Sequence, residues 1–290
     1  MIIAVVGGRG MLATDFQAVA LSKGAKTLPL DLPDFDICKN EATGLDLPTC
    51  DVVLNCAAFT RVDDAEKERE LAYAINATGA GRLAQACARR GLPLVHLSTD
   101  YVFNGRKGTP YLESDPVDPL NYYGVTKLAG EQQVQAAGGQ ATIVRTQSLY
   151  GLNGRNFIKA ILNQLQQGRQ ELRVVNDQVS SPTYTAHLAE ALWRLLAHPP
   201  GGVVNVAAGG QCSWFDFARA IVDRVGATAQ VLPRSTAELN YPALRPAFSV
   251  LDTARYTACT GHTMPHWRDG LAAYLEQEPL ARGLPPGPAA

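Results

Sequence analysis

Apolar positions near the start of the chain fall into short uninterrupted runs. Residues 2–7 (Ile-Ile-Ala-Val-Val-Gly) carry no polar side chain and end in glycine. A run of that length without alternation predicts a strand buried on both faces, as in a parallel sheet. The period then changes. Met11, Leu12, Phe16, Val19 and Ala20 recur at helical spacing until Gly24, which predicts a helix with a glycine stop. Further strands are predicted over 26–30, 51–55, 94–98 and 141–145, with helices over 63–90 and 121–137. This βαβαβ rhythm predicts an α/β fold with a Rossmann-like doubly wound parallel sheet, whose ligands sit beyond the carboxyl ends of the strands.

Past residue 150 the rhythm loosens. Helical patterns cover 156–167, 184–197, 213–225 and 265–275, with short apolar runs at 172–175 and 203–206. The predicted division is a Rossmann domain over 1–150 and a smaller, mainly substrate-binding α/β domain over 151–276, some of whose strands return to the first sheet. Residues 277–290, rich in Pro and Gly, read as a disordered tail.

Composition narrows the class. With 26 Lys+Arg against 27 Asp+Glu, the net charge of −1 lacks the basic excess of a nucleic-acid binder. At 46% hydrophobic and 18% charged, the 290 residues make an ordinary globular chain. No apolar run approaches the ~20 residues of a membrane span. The opening residues lack a basic stretch before their early glycines, so a cytoplasmic protein is expected. Six cysteines (38, 50, 56, 87, 212, 259) form no C-x-x-C pair. Cys259, His262 and His266 imitate half of a zinc site, but Pro265 interrupts any helix that would align the histidines, and no metal is assigned. Asn76-Ala-Thr78 is a glycosylation sequon by letters only, inside a helical pattern.

Strand one leads directly into Gly7-Gly8-Arg9-Gly10-Met11-Leu12-Ala13. Glycines here permit a tight turn and close approach of backbone to a pyrophosphate, and the following helix offers its free N–H groups and positive dipole end. A strand before the glycines and a helix after them is the context that confirms a dinucleotide cradle. Gly7, Arg9, Gly10, Met11 and Leu12 are its candidate contacts. Asp31, at the end of strand two, suits the ribose 2′-hydroxyl of NADH, while Arg9 suits the 2′-phosphate of NADPH, so both cofactors stay open. Asp36 and Ile37 are candidates for the adenine, and Ala57, Ala58, Phe59 and Thr60 for the middle of the cofactor.

Tyr123 and Lys127 lie four apart on a predicted helix, hence on one face. A free tyrosine, with a pKa near 10, is a poor proton relay at neutral pH, and a nearby ammonium favours its phenolate. Ser98-Thr99-Asp100, at the carboxyl end of strand four, adds hydroxyls that can meet an alkoxide. Cradle, hydroxyl and Tyr/Lys pair on consecutive strands form one constellation.

The longer words carry a resemblance. They are Asn55-Cys-Ala-Ala-Phe-Thr-Arg-Val-Asp63, His96-Leu-Ser-Thr-Asp-Tyr-Val-Phe-Asn-Gly105 and Pro119-Leu-Asn-Tyr-Tyr-Gly-Val-Thr-Lys-Leu-Ala-Gly-Glu131, then Arg145-Thr146, Asn176-Asp-Gln178, Ser181-Pro-Thr183 and Arg245-Pro246. Through them the chain resembles the extended short-chain dehydrogenase/reductase family, and within it the branch that reduces 4-keto sugar nucleotides. The resemblance implies reduction of the C4 ketone of a nucleotide-linked 6-deoxyhexose, dTDP-4-dehydro-L-rhamnose to dTDP-L-rhamnose, by NADPH or NADH. It implies Tyr123 as proton donor, with Lys127 on the nicotinamide ribose and Thr99 at the reacting oxygen. Asp100, Ser148, Asn156 and Arg245 follow as substrate contacts, Arg245 toward the pyrophosphate. A magnesium ion at a contact between copies is also implied, with Asp15 and Glu190 as acidic residues to examine. A homodimer is the default expectation.

Two departures fall in the sugar pocket. Gln147-Ser148 follows Arg145-Thr146 where many relatives have Ser-Trp, and Ser180 stands where many have glycine. They leave the hexose and the C4 configuration of the product open. An epimerase or dehydratase of the same fold, and a non-catalytic regulatory subunit resembling the beta subunit of methionine adenosyltransferase, are the competing readings.

Overall fold

The computed structural model describes residues 1–39 and 45–282. Its centre is a parallel sheet of six strands: β1 (Ile2–Val6), β2 (Lys26–Leu30), β3 (Val52–Asn55), β4 (Leu94–Thr99), β5 (Ala141–Thr146) and a sixth, Gly202–Asn205. From one edge the order is sixth strand, β5, β4, β3, β1, β2. Chain order reverses at β1, which pairs with β2 on one side and β3 on the other. That reversal opens a crevice at the strands' carboxyl ends.

Both faces of the sheet are buried, as the unbroken apolar runs require. Ile3, Val5, Leu54, Val95, Val144 and Val204 point to one side, against Leu12 and Phe16 of the Met11–Ser22 helix and Leu188 and Leu192 of the Thr185–Ala197 helix. Ala4, Val6, Val53 and Ile143 point to the other, against Leu83 and Cys87 of the Ala80–Arg89 helix and Val134 of the Tyr122–Ala136 helix. Burying each large aliphatic side chain contributes about 1.5–3 kcal/mol.

The single helix expected over 63–90 is broken into Val62–Ala65, Arg69–Tyr73, a π-helical turn at Ala74–Gly79 and Ala80–Arg89. Asn76 supplies the reason. It is 1% exposed, accepts the Phe59 N–H (2.8 Å) and donates to the Phe59 carbonyl (3.0 Å) and the Thr126 hydroxyl (3.0 Å). The wider π turn holds this inward-facing amide without leaving it unpaired. The sequon asparagine is therefore buried.

The run at 203–206 does return to the main sheet, as the edge strand beside β5. The smaller lobe has its own core, built on Tyr150, Ile158, Leu162, Phe217, Trp267 and Tyr274. Short strand pairs frame it, including Glu171–Val175 with Gln230–Arg234 and Leu149–Tyr150 with Thr183–Tyr184. The tail departs from expectation. Gln277 ends the Trp267–Gln277 helix and Pro279–Arg282 is helical, with Gln166 donating to the Leu280 carbonyl at 3.1 Å. Buried Glu278 accepts the Tyr274 hydroxyl at 2.6 Å, a tertiary contact that composition does not report. The rest of the expected tail, 283–290, lies outside the described residues. Among the described residues no helix is long and apolar enough to cross a membrane.

Candidate active site

The glycine turn is formed as its sequence demands. Gly7 has φ 72°, and a Cβ there would lie 2.7 Å from the Ala57 nitrogen. The Met11–Ser22 helix starts from Gly10 with no side-chain cap, which leaves its first N–H groups for an anion. Beside the turn is a cavity of about 700 Å³ lined in part by Gly8, Arg9, Pro29, Asp31 and Phe35. Asp31 does not stand free there. Its carboxylate accepts the Arg9 N–H (2.8 Å) and the Leu32 N–H (2.9 Å), so it braces the loop, and the Arg9 guanidinium reaches the Leu32 carbonyl at 3.0 Å.

The adenine candidates are engaged within the protein. Asp36 accepts the N–H of Cys38 at 2.8 Å in a local turn, and Ile37, 5% exposed, packs in the core. Phe35 and Asp34, just before them in the chain, line the cavity beside the glycine turn. The 57–60 segment divides. Ala58 and Thr60 line a second, central cavity, Ala57 backs Gly7, and Phe59 is buried with both backbone groups held by Asn76.

The central cavity, about 570 Å³, brings Gly10, Met11, Leu12, Thr99, Tyr123 and Lys127 together. Asn121 starts the Tyr122–Ala136 helix by accepting the Gly124 N–H at 2.8 Å. Ser98 is not free for a substrate, because its hydroxyl donates to Glu131 at 2.5 Å. Glu131 is also bidentate with buried Arg145 (2.7 and 2.9 Å), fastening this helix to β4 and β5. Thr99 is the neighbouring hydroxyl in the cavity wall. It donates to Asp100 at 3.0 Å, accepts the Tyr101 N–H at 3.1 Å and faces the Tyr123 phenol.

Burial sets the protonation states. It pushes the Tyr123 phenol up to about 12 against the Thr99 hydrogen bond, and the Lys127 ammonium down to about 8 against the attraction of Glu131. The phenolate expected from the neighbouring ammonium is not favoured here, because burial disfavours the charged form; the Lys127 ammonium itself donates to the Leu97 carbonyl at 2.5 Å. A protonated phenol is the form that a reduction needs, since it must give a proton to oxygen. Asp100, 2% exposed, is pushed up to about 7 by burial, against the hydrogen bonds of the Ser249 and Thr99 hydroxyls.

A third cavity, about 320 Å³, adjoins through Trp214, which lines both, and carries Tyr101, Phe157, Tyr241 and Arg245. Arg245 stacks 3.7 Å from the Tyr241 ring centroid and is bidentate with Asp63 (2.7 and 3.1 Å). Asp63 and Trp214 were not singled out as site residues from sequence, although Asp63 ends one of the quoted words. Ser148 lines the central cavity at φ 48°, its hydroxyl 2.9 Å from that of Ser180, so the two departures noted above are bonded to each other. Asn156 is not brought to the cavity wall. Its oxygen caps the Phe157–Gln166 helix at the Lys159 N–H (3.0 Å) and its nitrogen donates to the Gly151 carbonyl (2.7 Å).

Asp15 and Glu190, the two acidic residues named for magnesium, have partners within the chain. Asp15 accepts from Asn153 and Thr185, and Glu190 pairs with Lys23 (3.6 Å) and Arg194 (3.2 Å). Among the described residues no group of three His, Cys, Asp or Glu side chains could hold a metal. His266 caps its helix, accepting the Arg268 N–H at 3.2 Å.

Known proteins are similar to this chain over most of its length. The family model described as RmlD substrate binding domain matches residues 1–279. The spore coat polysaccharide biosynthesis protein SpsK of Bacillus subtilis is 45% identical over 231 residues, 80% of this chain and 81% of that protein. The dTDP-4-dehydrorhamnose reductase of Mycobacterium tuberculosis is 41% identical over 280 residues, 94% of this chain and 92% of that one. Among solved structures, dTDP-4-dehydrorhamnose reductase from Bacillus anthracis in complex with NADP superposes with a TM-score of 0.88 at 36% identity, covering 95% of this chain and 99% of that chain.

Proposed function

The chain belongs to the RmlD substrate-binding-domain family, and from that premise we propose that it is an NADPH- or NADH-dependent oxidoreductase acting on nucleotide sugars. Its reaction is reduction of the C4 ketone of a nucleotide-linked 6-deoxyhexose, dTDP-4-dehydro-L-rhamnose to dTDP-L-rhamnose. The observation that carries this reading is the convergence of Thr99, Tyr123 and Lys127 in one cavity beside the glycine turn. Similarity to reductases of that name over most of the chain supports the substrate class.

In this reading the bound nicotinamide supplies the hydride. Tyr123 holds the proton that O4 takes up, and the Thr99 hydroxyl meets the negative charge growing there. Lys127 orients the nicotinamide ribose and keeps a positive charge near the reacting oxygen. Arg245, on the wall of the adjoining cavity, receives the substrate's pyrophosphate by exchanging it for Asp63, a fork-to-anion contact in both states. Residues 1–150 carry cofactor and chemistry, and 151–276 mainly the sugar nucleotide. A cytoplasmic homodimer is the expected form, tested by fractionation and light scattering.

A dehydratase would need a further acid beside the hydroxyl motif. Asp100 is the one carboxylate in the wall of the central cavity among the described residues, and it is bonded to Thr99. The deciding assay mixes purified protein with NADPH or NADH and dTDP-4-dehydro-L-rhamnose and follows nicotinamide absorbance. NMR of the product assigns its C4 configuration. Absence of turnover with either cofactor, with Tyr123→Phe behaving like the parent, would sink the reading. Oxidised cofactor retained stoichiometrically through purification would point to the dehydratase or epimerase.

A further inference from the structure

The segment from the end of β5 carries hydrogen-bonding capacity that nothing among the described residues uses. Gln147 is 1% exposed, and among the described residues neither its carboxamide oxygen nor its nitrogen has a partner. The Thr146 hydroxyl beside it is unpartnered as well. Both residues lie in the wall of the central cavity. Leaving a buried amide unpaired is unfavourable, and native proteins keep few such groups without a reason.

The wall around this amide is braced. Ser148, next in the chain, is held at φ 48° with its hydroxyl on Ser180 at 2.9 Å, and its carbonyl accepts the Thr183 N–H at 3.1 Å. A fixed wall keeps unpaired groups oriented for a ligand. The register of β4 and β5 sets Thr146 opposite Thr99, so Gln147 is the next residue outward from the hydroxyl assigned to O4. In a 4-keto-6-deoxyhexose the ring atoms that adjoin C4 are C5, with its methyl group, and C3, whose hydroxyl neighbours that of C2. A carboxamide sets a donor and an acceptor side by side, which complements two adjacent hydroxyls and has no partner on the methyl side.

Resting on the reductase reading, we propose that Gln147 is a specificity-determining residue whose carboxamide hydrogen-bonds the C2 and C3 hydroxyls of the hexose. The enzyme thereby selects sugars that keep this diol over their deoxy counterparts. A site built to bond a hydroxyl rejects the analogue lacking it far more strongly than an apolar pocket rejects a missing methylene, because its own polar groups are then left unpaired.

The test compares kcat/KM of the parent and Gln147→Met for dTDP-4-dehydro-L-rhamnose and for its 3-deoxy analogue. The parent is expected to prefer the diol substrate by about 100-fold or more. Q147M is expected to compress that ratio below about tenfold, by losing more activity on the diol substrate, which forfeits two contacts, than on the analogue, which forfeits only the one to its C2 hydroxyl. Its thermal midpoint is expected to be unchanged or higher, since no internal hydrogen bond is removed. Equal preference in parent and Q147M, or a parent indifferent to the 3-hydroxyl, overturns the proposal. So does a clearly lowered midpoint, which would make the amide a structural group. A parent that turns over neither sugar instead fails the reductase reading itself.

Discussion

The Lys127 ammonium donates to the carbonyl of Leu97 at 2.5 Å, a bond from the catalytic helix back to β4, the strand that carries Thr99. The lysine is thus a strut as well as a charge, and at 2% exposure it has little freedom. Lys127→Met keeps the length of the stem and removes the charge. It is expected to lower kcat/KM by about 10²- to 10⁴-fold, the range of a positioned acid–base group. Steady-state assays at saturating cofactor check this, and a loss under threefold would contradict it.

Protonation gives the second expectation. Burial raises the Asp100 carboxyl to about 7 and lowers the Lys127 ammonium to about 8. Both groups carry their protons at the low end of this window, and the reduction uses both in that form: a neutral carboxyl beside the growing alkoxide and a positive ammonium. kcat/KM should therefore be highest near pH 6 and fall as pH rises through about 7 to 8. Asp100→Asn should remove the lower step and keep the upper one. A parent profile flat up to about pH 9 would refute the assignment.

Gly124 predicts a steric failure. A Cβ at this position would lie 2.3 Å from the Tyr101 carbonyl oxygen, which is backbone and cannot swing aside. Gly124→Ala should force the Tyr122–Ala136 helix and the turn after β4 apart, moving Tyr123 relative to Thr99. The expected result is a kcat at least about tenfold lower, from misplaced reacting groups, with about 1–3 kcal/mol lost from stability. Chemical denaturation alongside kinetics tests both.

The cofactor end separates two residues that sequence sets in competition. Asp31 braces the loop through the N–H groups of Arg9 and Leu32, whereas the exposed Arg9 guanidinium donates to the Leu32 carbonyl. Arg9→Ala should weaken NADPH binding by about tenfold, one charge-assisted contact, and leave NADH nearly unchanged. Asp31→Ala should weaken both, because the turn itself loosens. Fluorescence titration of each reduced cofactor distinguishes these outcomes, and a selective loss of NADH in the Asp31 variant would restore the ribose role.

Local chemistry was legible in the sequence, and distant pairing was not. The glycine turn and the Tyr123/Lys127 face depend on neighbours a few residues away, so spacing alone recovers them. Asp63 and Arg245 are 182 residues apart, and nothing in either segment announces the other. The π turn at Ala74–Gly79 hides for a related reason: its apolar spacing continues a helix, while Asn76 answers to Phe59 and Thr126. Asp36 and Asn156 carry local bonds that their spacing does not report. Each sits near the right place in the chain, but a turn or a helix cap engages its side chain first.

The strand Gly202–Asn205 has a consequence for how such proteins can be altered. The chain leaves the sheet after Thr146, builds part of the small lobe, returns beside β5, and leaves again after Asn205. A fragment ending near residue 150 would lack its edge strand and the Leu188 and Leu192 side chains that cover one sheet face. It would expose β5 as an open edge, the usual template for aggregation. The two lobes are laced together, not strung in series. New sugar preferences must therefore be grafted loop by loop onto an intact scaffold, because no single cut frees one lobe for exchange.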